Sequence, residues 1–237
     1  MPRTANIPSA SYQRMRSGLC FLAALAALTV WSGEAASAAW PRGEDKSFVT
    51  LSYESTVDGP DFGDFASFYY EYGLTEKLTF GLDIGKSQRA GQVNAIAFLR
   101  YPLELSGGDD VFAAELGVGW TERDGGAVAV LRPGVSWGRP VEGAWGKGWL
   151  GVESTYAIYE DGGGLGKIDS SFGINHSNGN LSIFKLEFAA PSDGDETLAF
   201  APSHVVKVAE NSLLEFGVSH EFTESVTKLK VGVWHSF

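Results

Sequence analysis

Alternation of apolar and polar residues with a period of two runs along most of the chain. Val49, Leu51 and Tyr53 share one parity, as do Phe68, Tyr70 and Tyr72, then Leu78, Phe80, Leu82 and Ile84. The same parity is apolar at Phe112, Ala114, Leu116, Val118 and Trp120, at Leu150, Val152, Tyr156 and Ile158, at Phe184, Leu186 and Phe188, and at Leu214, Phe216, Val218 and Phe222. Clusters of Gly, Asp, Ser, Asn and Pro separate these stretches, and helical periodicity is missing after Ala39, which is the all-β pattern. Twelve strands are predicted, near 47–54, 65–74, 78–86, 93–102, 111–120, 127–138, 148–158, 167–176, 181–189, 200–208, 212–222 and 227–237; ten or fourteen are the alternatives. The stretch at 200–208 is the weakest, because Pro202 has no N–H for a ladder. No linker divides the series, so a single up-and-down antiparallel barrel is expected over 39–237.

Alternation alone does not say which face meets water. A lipocalin-like barrel or sandwich turns its apolar parity inward, whereas a transmembrane barrel turns it outward to lipid. Three features favour the membrane. The polar parity is rich in Gly, Ser and Thr with about one charge per strand: Glu54, Glu71, Asp83, Arg100, Glu115, Arg132, Glu153, Asp169, Lys185, Glu187, Lys207, Glu215 and Lys230, with Glu221 and Lys228 on the last hairpin. Aromatic residues gather near strand ends, as at Tyr53, Tyr72, Tyr101, Trp120, Trp137, Tyr156, Phe222 and Phe237, where membrane barrels carry girdles. An even strand count returns the chain to the side on which it began. On this reading Arg132 can face Glu153, and Phe222 lies opposite Thr227, which puts Glu221 opposite Lys228. Arginine at Ser171 or Gly173, on the inward parity, should then cost little.

The ends of the chain carry their own signals. Arg3, Arg14 and Arg16 precede an apolar run from Gly18 to Trp31 and the small-residue site Ala36-Ser37-Ala38. This is the layout of a secretory signal peptide over 1–38, cleaved before Ala39. Cys20, the single cysteine, lies within it, so disulfides and thiolate chemistry are not expected beyond it. The net charge is -11; the 18 basic residues less Arg3, Arg14 and Arg16, and the 29 acidic ones less Glu34, leave about -13, which disfavours nucleic acid as a partner. The last strand alternates to its final residue through Val231, Val233, His235 and Phe237. It resembles the C-terminal insertion signal of Gram-negative outer-membrane barrels, with His235 where an aromatic residue is usual. "YGLTEKLTFGLDIG" (72–85) resembles the tight periplasmic turns of small members of that class. The resemblance implies integral residence in the outer membrane, contact with its lipid and lipopolysaccharide, and delivery by the barrel-assembly machinery.

Candidate chemistry is sparse. "NHSNGN" (175–180) resembles the His-x-Ser-Asn run of barrel-shaped lipid A deacylases, but His176 and Ser177 are adjacent, and Asn-Gly and Ser-Asn are ordinary hairpin residues. Asp58, Asp61, Asp64, Asp193, Asp195 and Glu196 make two outer loops rich in oxygen ligands without the spacing of a calcium loop. No catalytic group, metal site or cofactor is expected. Twelve strands lie between the eight that side chains fill and the sixteen that leave an aqueous channel. The expected function is a narrow pore for small polar solutes; the alternatives are a closed structural barrel and, third, a lipid-modifying enzyme.

Overall fold

The twelve stretches of alternation pair in chain order, and the last closes onto the first. The computed structural model describes residues 39–59, 63–87, 92–105, 108–123 and 125–237; the expected signal peptide and Asp61 lie outside them. The strands are β1 (Ser47–Asp58), β2 (Phe65–Gly73), β3 (Thr79–Ser87), β4 (Val93–Leu103), β5 (Val111–Arg123), β6 (Gly126–Gly143), β7 (Gly146–Tyr159), β8 (Gly164–Asn175), β9 (Leu181–Pro191), β10 (Thr197–Ala209), β11 (Ser212–Glu221) and β12 (Val226–Ser236). Each is antiparallel to its neighbours, and β1 pairs with both β2 and β12, closing the barrel. Closure removes the unpaired edges that an open sheet would expose. We call the rim holding Ser47 and Ser236 the lower rim.

The apolar parity faces outward. Leu116, Val118 and Val135 are 56%, 57% and 61% exposed, and Leu51, Leu186, Phe216, Leu229, Val231 and Val233 are also exposed. Such a continuous apolar exterior is what lipid requires and water penalises. Tyr53, Tyr101, Trp120, Tyr156, Phe222 and Phe237 are exposed on this surface.

Pro202 and Pro133 sit inside the wall without breaking it. The pairing of β10 with β11 skips Ala201 and Pro202, and that of β6 with β7 skips Arg132 and Pro133. Each keeps the ladder on its other side, where Pro202 lies opposite Phe184 and Pro133 opposite Leu116. The weak stretch at 200–208 is therefore a full strand. The segment 139–147 is strand as well: β6 and β7 run past the expected ends to pair Arg139 with Leu150 and Glu142 with Lys147 around a short turn at Ala144 and Trp145.

Glycines on the inward parity make room for rings. A Cβ on Gly173 would stand 2.1 Å from the Trp149 indole, one on Gly81 2.0 Å from the Phe98 ring, and one on Gly138 2.3 Å from Trp40. These aromatic side chains lie flat on bare backbone. Lipid exposure gives arginine at Gly173 no cost, but packing does, since even one methyl collides with Trp149. We predict that Gly173→Ala lowers stability by about 1–3 kcal/mol through overpacking, measured as the urea midpoint of the detergent-folded protein.

Candidate functional site, the barrel lumen

The pairing registers place Glu54, Glu71, Asp83, Arg100, Glu115, Arg132, Glu153, Asp169, Lys185, Glu187, Lys207, Glu215, Glu221, Lys228 and Lys230 on the parity opposite the lipid face. Ion pairs between strands that are not neighbours confirm that this parity lines the interior. Two different walls result.

On β2 to β6 three carboxylates interlock with two guanidinium groups, and Arg42 completes the balance. Arg100 Nη1 donates to Glu71 Oε1 at 2.5 Å and Arg100 Nη2 to Glu115 Oε2 at 2.9 Å. Arg132 Nη2 donates to Glu115 Oε1 at 3.1 Å and Arg132 Nη1 to Asp83 Oδ2 at 2.6 Å. The Tyr69 hydroxyl donates to Glu71 Oε1 at 2.5 Å and accepts from Arg100 Nη2 at 3.1 Å. The Phe98 ring lies beneath both guanidinium groups, 4.9 Å from Arg100 and 5.8 Å from Arg132. Arg42, which precedes β1, adds a third cation by donating Nε to Glu71 Oε2 at 2.9 Å.

The expected pairing of Arg132 with Glu153 does not occur. The register sets Ser136 opposite Glu153, and Arg132 turns the other way, over Gly117, to reach Glu115 and Asp83. The final hairpin is also displaced from expectation by two residues. Glu221 lies opposite Val226, Ser219 opposite Lys228 and Gly217 opposite Lys230. A shift of two preserves the face of every side chain, so Lys228 stays inward. The Glu221 carboxylate accepts from the backbone N–H of Glu224 at 3.1 Å and caps the turn instead of pairing with Lys228.

On β7 to β12 lysines match the carboxylates in number, Lys167 among them, but the carboxylates cluster. Glu153 lies opposite Asp169, and Asp169 opposite Glu187, so three consecutive strands bring three carboxylates into one cross-strand row. Lys185 follows on the next inward position, opposite Ser171. Lys230 Nζ pairs with Glu215 Oε2 at 3.3 Å, and Trp234 Nε1 donates to the same oxygen at 3.1 Å. Glu54, Lys185, Glu187, Ser203, Glu215 and Lys230 line a small interior cavity of about 20 Å³, room for about one water molecule.

Below these walls the lumen has an apolar floor. Phe48, Trp149, Leu181, Ile183, Val205 and Trp234 form one buried cluster, with Trp40, Tyr69 and Leu213 packed against it. Sequence analysis did not identify this floor, because its members lie on the nominally polar parity. The readable signal was an apolar residue near the same rim on five different strands.

The histidines lie on the outer face. His176 Nε2 and His204 Nδ1 both meet Ser182 Oγ, at 2.8 and 3.1 Å; Ser177 is not the partner. A serine hydroxyl donates to only one ring, so the second ring donates to Oγ. His235 bonds Ser212 at 2.8 Å and His220 bonds Thr227 at 3.0 Å, each directly across the ladder. A histidine joined to a cross-strand hydroxyl is thus a repeated feature of the rims rather than a singular reactive centre. Val231 and Val233 face outward, and Phe237 bonds Ser47 through backbone N–H and C=O, at the seam that closes the barrel. Among the described residues no group of three or more His, Cys, Asp or Glu is placed to hold a metal. Asp64 accepts from the Tyr53 hydroxyl, which holds its carboxyl below the usual range. Between two lower turns, Lys77 Nζ meets Glu104 Oε1 at 2.5 Å; the hydrogen bond lowers the carboxyl pKa and raises that of the ammonium.

No family model matches the sequence, and no curated protein matches it in sequence. Solved structures do match the fold. The chain is similar to the KdgM porin, with a TM-score of 0.59 and 12% identity over 80% of this chain and 99% of that one. A second structure, "KdgM porin in complex with disordered oligogalacturonate", gives 0.56 and 16% over 80% and 99%. The COG4313 outer membrane channel from Pseudomonas putida F1 gives 0.59 and 12% over 82% and 96%. The protein has the fold of a small outer-membrane β-barrel.

Proposed function

We propose that the protein is an integral outer-membrane pore for small polar solutes, narrow and with a mild preference for cations. The observation that carries this reading is the carboxylate row Glu153, Asp169 and Glu187 on adjacent strands. Like charges placed directly opposite one another destabilise a sheet, so a barrel built only for stability gains nothing from the row. In a lumen with low-dielectric walls, a local acidic row concentrates cations beside it. The ion-paired wall on β2 to β6 is neutralised once Arg42 joins its pairs and leaves that row standing. The fold shared with two channel structures supports the same reading.

A second reading is a closed structural barrel, and the apolar floor favours it. Conductance of the purified protein in planar bilayers separates the two. The pore reading expects discrete openings whose reversal potential in a salt gradient shifts towards cations, with the shift reduced in Asp169→Asn. Silence from protein shown to be folded by its heat-dependent gel mobility would favour the closed barrel. The mature N-terminus is expected at Ala39, and N-terminal sequencing of the membrane fraction checks it.

A further inference from the structure

We infer that residues 39–46 form a latch that closes the lower end of the lumen and undocks when solute passes. The inference rests on the pore reading above. The segment contributes no strand to the wall. A left-handed turn, with Gly43 at φ 83° and Asp45 at φ 58°, reverses the chain ahead of β1 and sends 39–42 into the barrel. The turn is seated on β2: Asp45 N–H donates to Gly73 C=O at 3.0 Å, Gly73 N–H donates to Lys46 C=O at 2.9 Å, and the Tyr72 hydroxyl donates to Asp45 Oδ1 at 2.7 Å. A Cβ on Gly73 would stand 1.6 Å from the Gly43 carbonyl oxygen, so the seat accepts glycine alone.

Inside, the segment touches β1, β2, β3 and β6. The Arg42 N–H donates to Thr79 Oγ1 of β3 at 3.0 Å, and its guanidinium binds Glu71 of β2 and covers the Phe48 ring at 4.6 Å. Trp40 rests on bare Gly138 of β6 and packs against the apolar floor, and Ala39 is fully buried. The segment thereby fills the gap between the apolar floor and the ion-paired wall.

Its contacts are suited to release. Arg42 is the outer cation of the chain of pairs, and Glu71 keeps Arg100 when Arg42 leaves. Undocking strands no buried charge, because Arg42 passes into water. Trp40 leaves a glycine surface rather than a polar group without a partner. Undocking gives up the backbone bonds of Gly73 with Asp45 and Lys46 at the rim but none of the strand-to-strand ladder bonds, so the wall stays intact with the latch in or out.

Two substitutions release the latch from opposite ends while keeping every lumen charge. Trp40→Gly removes the inner anchor, and Gly73→Ala unseats the turn. Trypsin cleavage after Arg42 reports undocking, and the folded barrel is verified by heat-dependent gel mobility. The expected result is protection in the wild type, cleavage in both variants, and an open probability in bilayers raised roughly tenfold or more, as for a shifted two-state equilibrium. If the variants do not fold, the same two readouts are taken on the wild type in urea below its unfolding range, where cleavage and current should rise together. Cleavage after Arg42 in untreated wild type overturns the docking. Cleavage accompanied by an unchanged wild-type current overturns the latch and leaves the pore standing. Cleavage with silence in every protein overturns the pore reading, and the latch with it.

Discussion

Replacing Glu71 with alanine is expected to destabilise the barrel by about 3–5 kcal/mol, because it leaves buried charge behind. Glu71 is only 2% exposed, and Arg100 beside it is 4% exposed. Its carboxylate serves Arg42, Arg100 and the Tyr69 hydroxyl together. After truncation Arg100 keeps Glu115 alone for its charge, and the Tyr69 hydroxyl loses its acceptor. Leaving a buried donor unsatisfied adds to the cost. Glu71→Gln keeps the shape and an acceptor and should fall between wild type and alanine. Glu104→Ala, which breaks the exposed pair with Lys77, should leave the unfolding midpoint where it was, since exposed pairs contribute little. Urea unfolding of the three variants in lipid vesicles gives the ranking. A loss below about 1 kcal/mol for Glu71→Ala, the scale of a solvated pair, would mean that water reaches this depth of the lumen.

The ranking also probes how much of the site could be read from sequence. Parity is a local property, set by each strand's own alternation, and it marked Glu71, Arg100, Glu115 and Arg132 without knowledge of any neighbour. Partner choice is not local. Pairing Arg132 with Glu153 considered consecutive strands only, whereas a long guanidinium crosses Gly117 to reach Asp83, three strands back. The glycines that leave this space are legible as small residues, but the direction in which a side chain falls depends on the curvature of the closed wall. The last hairpin shows the complementary case. Ser225 adopts a left-handed conformation at φ 55°, and the turn shifts the register by two residues; every face survives and every cross-strand partner changes.

The strand ends were hidden for a different reason. Pro140, Gly143 and Gly146 carry the composition of a loop, yet β6 and β7 continue through them because Glu142 and Lys147 pair beyond the barrel body. The latch was hidden because residues 39–46 have no periodicity at all. Its fixation comes from Thr79, Glu71 and Gly138, which are distant in sequence. Contacts that join segments far apart in the chain leave no mark on either segment alone. For the same reason Trp149 and Gly173 read as an isolated exception and an ordinary small residue, when together they form one packed unit of the floor.

Arginine at Phe216 is the second large expected effect, and it decides which way the barrel is turned. Phe216 lies mid-strand on β11, 52% exposed, with outward-facing Val231 and His204 directly across its two ladders. If the apolar parity meets lipid, Phe216→Arg should cost about 2–4 kcal/mol near the bilayer midplane, and the cost should fall towards about 0–1 kcal/mol for outward positions near a rim. Phe222, at the end of the last hairpin and also exposed, is the rim control. Ser171→Arg is the inward control: Ser171 lies opposite Gly151 and Lys185, two positions along β8 from Asp169. An added cation there is repelled by Lys185 directly opposite and attracted by Asp169 two positions away, so the two offset and stability should change little. Gly173 is unsuitable as that control, because its substitution would report the collision with Trp149 rather than the polarity of the lumen. Unfolding each variant from vesicles by guanidinium, and refolding it into them, gives the three costs on one scale. The order Phe216, then Phe222, then Ser171 is expected. If Ser171→Arg proves the most damaging and Phe216→Arg is tolerated, the charged parity cannot be a wet interior, and a soluble barrel with its polar face exchanged would replace the membrane pore.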